Sequence, residues 1–187
     1  MDKTTLLRQG QDIITRFCLV NDLPLPQVTL AEGSWPYKVC AYYRPQEITL
    51  KLTKCSPIGK SGAAWSYPGY VTDKTPYGVL AHELGHHVDV LKSVKVGPYF
   101  GDYSLKIFAA SGEAAISSYA PNKHEWFAEM FRVFVTNPDL LSKLRPKTFD
   151  LLSQDFLPAE LRSWLEVLEH APERTKTACL KKIHASI

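Results

Sequence analysis

The sequence is short of several things, and each shortage excludes a class of protein. Four cysteines in 187 residues, Cys18, Cys40, Cys55 and Cys179, form no C-x-x-C pair and fall far below the density of a disulfide scaffold. They read as four reduced thiols, and the expected compartment is the cytoplasm. No apolar run could span a bilayer, and the first ten residues carry no signal-peptide core. Charge of one sign is scarce as well. The formal total is +3, and the segment from Ala171 onward supplies all of it through Arg174, Lys176, Lys181 and Lys182 against Glu173. A neutral body with a basic tail over 175–187 suits neither nucleic acid nor membrane. There is no internal repeat and no low-complexity segment. What remains is one domain's length of chain, 45% hydrophobic and 22% charged, with room for a real core and expected to be a monomer.

What is present centres on residues 75–91. His82, Glu83 and His86 spell H-E-x-x-H. On a helix that advances about 100° per residue, His82 and His86 stand roughly 40° apart on one face, one turn above the other. Two imidazoles so placed can each offer a nitrogen to one Zn²⁺, and Glu83, just off that line, can take a proton from a water activated there. Thr75 is a good N-cap and Pro76 fits the first helical position. Leu80, Leu84, Val88 and Leu91 supply a buried face opposite the histidines. Gly78 and Gly85 oppose a helix by about 1 kcal/mol each, and Gly85 is tolerable if another element packs closely on it. His87 falls roughly 140° round from His82, toward the core, and reads as a satisfied buried histidine.

Along the rest of the chain, residues 4–20 show helical periodicity and residues 1–24 form an N-terminal helix packed on the body. Gln27–Leu30 reads as a short strand. Residues 37–54 read as a β-hairpin turning at Arg44-Pro45-Gln46-Glu47, with Ile48, Leu50 and Leu52 alternating against polar residues. That alternation suggests either an edge over 48–54 able to accept an extended peptide or an ordinary strand covered on one face. Residues 56–74 form a loop whose Trp65, Tyr67 and Tyr70 suit a substrate rim. A short helical piece is expected near 105–115, others at 138–144 and 147–153, and a longer one over 158–170. On the helix beginning near His124, apolar residues at 126, 127, 130, 131 and 134 make one face. Glu125 and Glu129 stand a turn apart on the other, with no Lys or Arg four residues away. Such a pair needs partners to be buried, and a metal with its histidines would provide them.

Together these residues resemble the gluzincin metallopeptidases and, more closely, the lethal factor-like catalytic domains. The likeness runs from Leu80 to about Leu152. It rests on His82 to Asp89, on Ser118-Tyr119, on Glu125 to Arg132, and on Pro146 to Phe149. It implies an α+β, zincin-like single domain over 1–187, with a small mixed β-sheet and an active-site helix. Zn²⁺ would be held by His82, His86 and Glu125, with Glu83 as general base. Glu129 and Asp89 would orient the ligand histidines, and Tyr119 would donate its hydroxyl to an oxyanion. The step from Tyr119 to Glu125 is one residue shorter than in those domains. The implied activity is zinc-dependent endopeptidase cleavage of a protein or peptide substrate. The alternative is a binding or inhibitor module that keeps the fold without the chemistry.

Overall fold

A computed structural model describes residues 2–56, 72–97 and 100–157. The aromatic loop residues Trp65, Tyr67 and Tyr70, the helix expected over 158–170 and the basic tail over 175–187 lie outside the described residues. Among the described residues the chain is α+β, six helices with one small three-stranded sheet. Its order is α1 (Lys3–Val20), β1 (Gln27–Leu30), β2 (Ala41–Arg44), β3 (Glu47–Leu50), α2 (Pro76–Lys92), α3 (Tyr103–Ser111), α4 (Lys123–Thr136), α5 (Pro138–Leu144) and α6 (Pro146–Asp155). No helix here is long and apolar enough to cross a membrane.

The helix ends follow from local chemistry. The Thr75 hydroxyl accepts the Gly78 N–H at 3.2 Å and Pro76 opens α2. Asn122 caps α4 by accepting the N–H groups of His124 and Glu125, both at 3.0 Å. From Pro76 to Asp89 every residue of α2 except the half-buried Val79 is buried, the histidine face included. It lies between α1 and α4, and Leu80, Leu84 and Val88 are fully buried in the core with Phe17, Phe127, Phe131 and Phe134.

The glycine penalty in α2 has a steric reason. A Cβ on Gly85 would sit 2.8 Å from the Ala128 Cα of α4, so these helices pass at backbone contact. Gly78 is pressed in the same way by Asp73, whose carboxyl carbon would lie 2.2 Å from the added atom. Close approach at Gly85 brings the carboxylates of α4 over the histidines of α2.

The sheet departs from expectation in one respect that matters for function. Its order is β1-β3-β2, with β1 parallel and β2 antiparallel to β3. It is mixed, as expected, but β3 is its central strand, so the 48–54 segment is not an edge. The alternation there reflects a strand covered on one face, not an unpaired side. Among the described residues, the unpaired edge beside α2 belongs to β2. With Arg44 paired to Glu47 across a two-residue turn, and Lys51 N donating to Cys40 O at 2.8 Å, the hydrogen-bonded pairs are 44–47, 42–49 and 40–51. That alternation leaves the N–H and C=O groups of Ala41 and Tyr43 pointing away from β3, along the outer edge.

The reduced-thiol expectation is also corrected. Cys40 and Cys55 form a disulfide, with Cα atoms 4.9 Å apart, within the range a disulfide requires. The partners are 15 residues apart and meet only because the hairpin folds Cys40 back against Lys51. Cys18 is a buried thiol whose pKa burial pushes up to about 12.

Gly85→Ala tests the close helix contact. Alanine gains about 1 kcal/mol of helix propensity but overpacks the α2–α4 interface, which costs about 1–3 kcal/mol. The expected result is a lower melting temperature together with weaker zinc binding. A melting temperature at or above that of the parent would show that the helices part without cost.

Candidate metal centre

Three side chains from two helices converge. One ligand atom each from His82, His86 and Glu125 can be chosen so that all lie within 4.8 Å of one another. His82 Nε2 is 3.0 Å from Glu125 Oε2, and His86 Nε2 is 3.6 Å from Glu125 Oε1. A tetrahedral zinc site with bonds of about 2.0–2.1 Å sets its ligand atoms roughly 3.3 Å apart, between those two distances. The donor set, two imidazoles and a carboxylate, is a known catalytic zinc set. The residues fit the ion.

Electrostatics point the same way. Asp73, Glu83 and Glu129 are all buried and Glu125 is mostly so, and among the described residues the one buried guanidinium is that of Arg132. Burial alone would lower the His82 pKa, but its hydrogen bonds to Glu125 and Glu129 outweigh that and raise it to about 10. Burial works against ionisation at Glu125 and Glu129 too. The His82 and His86 contacts at Glu125, and the Arg132 charge with His82 at Glu129, still bring both carboxyls well below the usual range. A site that holds a proton this tightly on a neutral-pH base has surplus negative charge, which a divalent cation would answer.

Glu129 holds the centre together. Its Oε1 accepts His82 Nδ1–H at 2.8 Å, which leaves Nε2 as the metal-facing nitrogen. Arg132 grips the same carboxylate with Nε and Nη2, each at 3.0 Å, and the Ser117 hydroxyl donates to Oε2. Neither Arg132 nor Ser117 is apparent from a search for charges four residues away. Arg132 sits three residues from Glu129, the other helical neighbour spacing, and that signal was available.

Glu83 is 6% exposed and lines a cleft of about 270 Å³ together with His82, Tyr119 and Ala41. Burial raises its pKa against the pull of the nearby His82 and His86 imidazoles. Tyr119 lines the same cleft as an exposed side chain, its ring 5.7 Å from that of His82. Burial, followed by the charges of Glu125, Glu83 and Glu129, pushes its hydroxyl pKa up to about 12.

Asp89 is a correction. Its carboxylate meets neither ligand histidine. It accepts the N–H groups of Gly101 at 3.0 Å and Ser104 at 2.7 Å and the Ser104 hydroxyl at 2.9 Å, and it lies 3.3 Å from His124 Nδ1. Lying one turn beyond Glu125 along the α2–α4 seam, it anchors the start of α3 instead. His86 Nδ1 is buried without a partner among the described residues. The His86 ring is held by packing, 5.3 Å from Phe100 and 5.1 Å from His82. His124 is not a ligand: it stacks on Phe100 at 4.6 Å and bonds Ser104. His87 is a satisfied core histidine, as its position on the helix predicts, between Tyr43 OH at 3.2 Å and Pro24 O at 2.8 Å.

Comparison with family models, curated proteins and solved structures gave no match to this chain. Function has therefore to be argued from the side chains.

The two glutamates of α4 separate by mutation. Glu125→Gln should lower zinc affinity sharply with little loss of stability, because its side chain is the most exposed of the three donors. Glu129→Gln should lower zinc affinity less, about 10–100-fold as for supporting residues generally, while costing about 3–5 kcal/mol of stability by leaving Arg132 buried without its counter-ion. Metal content by mass spectrometry beside denaturant melts checks both. The reverse order of zinc loss would mean the roles are exchanged.

Proposed function

We propose that the chain is a zincin-type metallopeptidase of the gluzincin kind, hydrolysing peptide bonds in a protein or peptide substrate. The observation that carries this is the meeting of His82, His86 and Glu125 beside a buried carboxylate, Glu83, on an open cleft. The small mixed sheet with its β2 edge beside the H-E-x-x-H helix supports the same reading.

His82, His86 and Glu125 would hold Zn²⁺, which when bound supplies Lewis acidity toward water and the scissile carbonyl. Glu83 accepts a proton from the attacking water as its oxygen bonds to the carbonyl carbon. It then delivers that proton to the amine nitrogen as the C–N bond breaks, so water is divided between the new carboxyl and amino ends. The raised pKa of Glu83 suits both halves of that transfer. Tyr119 keeps its proton at neutral pH and can donate a hydrogen bond to the developing oxyanion. The outward N–H and C=O groups of Ala41 offer a substrate backbone one further strand position, in place of the 48–54 segment. Glu129, Arg132 and Ser117 touch no substrate; they fix the His82 ring.

Glu83→Gln keeps shape but cannot accept a proton at neutral pH. Zinc content and melting temperature should barely change, while cleavage of casein or a peptide pool falls at least 10²–10⁴-fold. His82→Ala should lose zinc and activity together. Stripping the parent protein with a chelator should abolish cleavage and lower its melting temperature, with both restored by zinc. Near-normal cleavage by Glu83→Gln would sink the mechanism. Loss of zinc in that variant would make Glu83 structural.

A further inference from the structure

The cleft has a charged rim that the proposed chemistry does not use. Lys38, Lys54 and Lys74 all line it, all are exposed, and they come from three segments far apart in sequence. Three links hold those segments together. The Cys40–Cys55 disulfide ties the stretch leading into β2 to the turn after β3, and Lys51 N to Cys40 O, at 2.8 Å, repeats that tie. Ser56 N donates to Lys74 O at 2.8 Å and joins the same turn to the stretch leading into α2. Like most lysines and arginines of the described residues, none of the three takes part in an ion pair there; what sets them apart is that they share one cleft rim. The acids that line the cleft, Asp73 and Glu83, are 0% and 6% exposed and lie at its floor. A chain that is neutral over its first 170 residues therefore gathers unanswered positive charge at one place.

We infer that this rim selects peptides carrying acidic side chains close to the scissile bond, with Lys38, Lys54 and Lys74 as the specificity-determining residues. The inference rests on the peptidase reading for its substrate class. An extended peptide lying along the outer edge at Ala41 runs between the metal-binding residues and the lysine rim. Side chains alternate across an extended strand, so residues near the cleaved bond would present carboxylates to the rim while the backbone faces Glu83. Three exposed cations focused on a cleft raise the local concentration of an acidic partner and discriminate against a basic one.

The test is fluorescence anisotropy on the zinc-loaded Glu83→Gln protein, with short peptides identical except for Glu, Gln or Lys at the positions flanking one central bond. The Glu peptide should bind about tenfold more tightly than the Gln peptide at low salt, and the difference should shrink at about 0.5 M salt. The triple variant Lys38→Glu/Lys54→Glu/Lys74→Glu should invert the order in favour of the Lys peptide. The triple Gln variant, which adds no new charge, should level it. Equal binding of all three peptides by the lysine-bearing protein, or a Glu preference that survives in the Gln variant, overturns the inference, as does failure of every peptide to bind. Cleavage by the parent protein is scored separately. Acidic peptides that bind at the rim and stay intact would remove the peptidase reading and leave the rim standing; indifferent cleavage of all three would do the opposite.

Discussion

A buried carboxylate between two helices has to be answered, and Glu129 is answered from three directions. Arg132 grips it from its own helix, Ser117 from the preceding loop, and His82 from across the α2–α4 seam. An unpaired ion at this depth would cost several kcal/mol, so each partner is held in place by the others. The His82 ring is fixed with one nitrogen committed to Glu129 and the other turned to Glu125. The arrangement is possible only because Gly85 lets the helices touch at Ala128. Had that position carried a side chain, the seam would widen and Glu125 would lose its reach to both imidazoles.

Much of this was legible in sequence because the signals are local. H-E-x-x-H places two histidines on one face by helix geometry alone, and Thr75-Pro76 and Asn122 mark helix starts by satisfying orphan N–H groups. The clash between a helical pattern and Gly85 was itself informative, since a costly residue inside a well-capped helix points to a close neighbour. Glu125 and Glu129 stood out as unpartnered carboxylates on an apolar helix. Arg132 partners Glu129 at the i+3 spacing, one position nearer than i+4.

What was not legible depends on contacts between distant segments. Alternation over 48–54 reports that one face of a strand is covered; it carries no information about whether its edges are paired, and β1, arriving from before the hairpin, pairs the edge that seemed free. Cys40 and Cys55 have no recognisable spacing, and only the hairpin's fold brings them together. The resemblance puts Asp89 behind the ligand histidines, yet the α2–α3 connection passes closer and takes its carboxylate.

The same distinction separates the centre from its surroundings. His82, His86 and Glu129 are buried and Glu125 mostly so, on two helices in backbone contact, where a change of one methyl group is felt across the seam. The cleft wall opposite is built largely from connecting segments, and its lysines are exposed and make no ion pair among the described residues. Substitution there alters the field at the cleft without straining the core, since surface changes of this kind usually shift stability by less than about 0.5 kcal/mol. A net charge read over the whole chain averages such a rim away. Neutrality of the body is therefore compatible with a lysine-lined cleft rim, because the charge at the cleft is set by which segments the disulfide and the sheet bring together, and composition is blind to that.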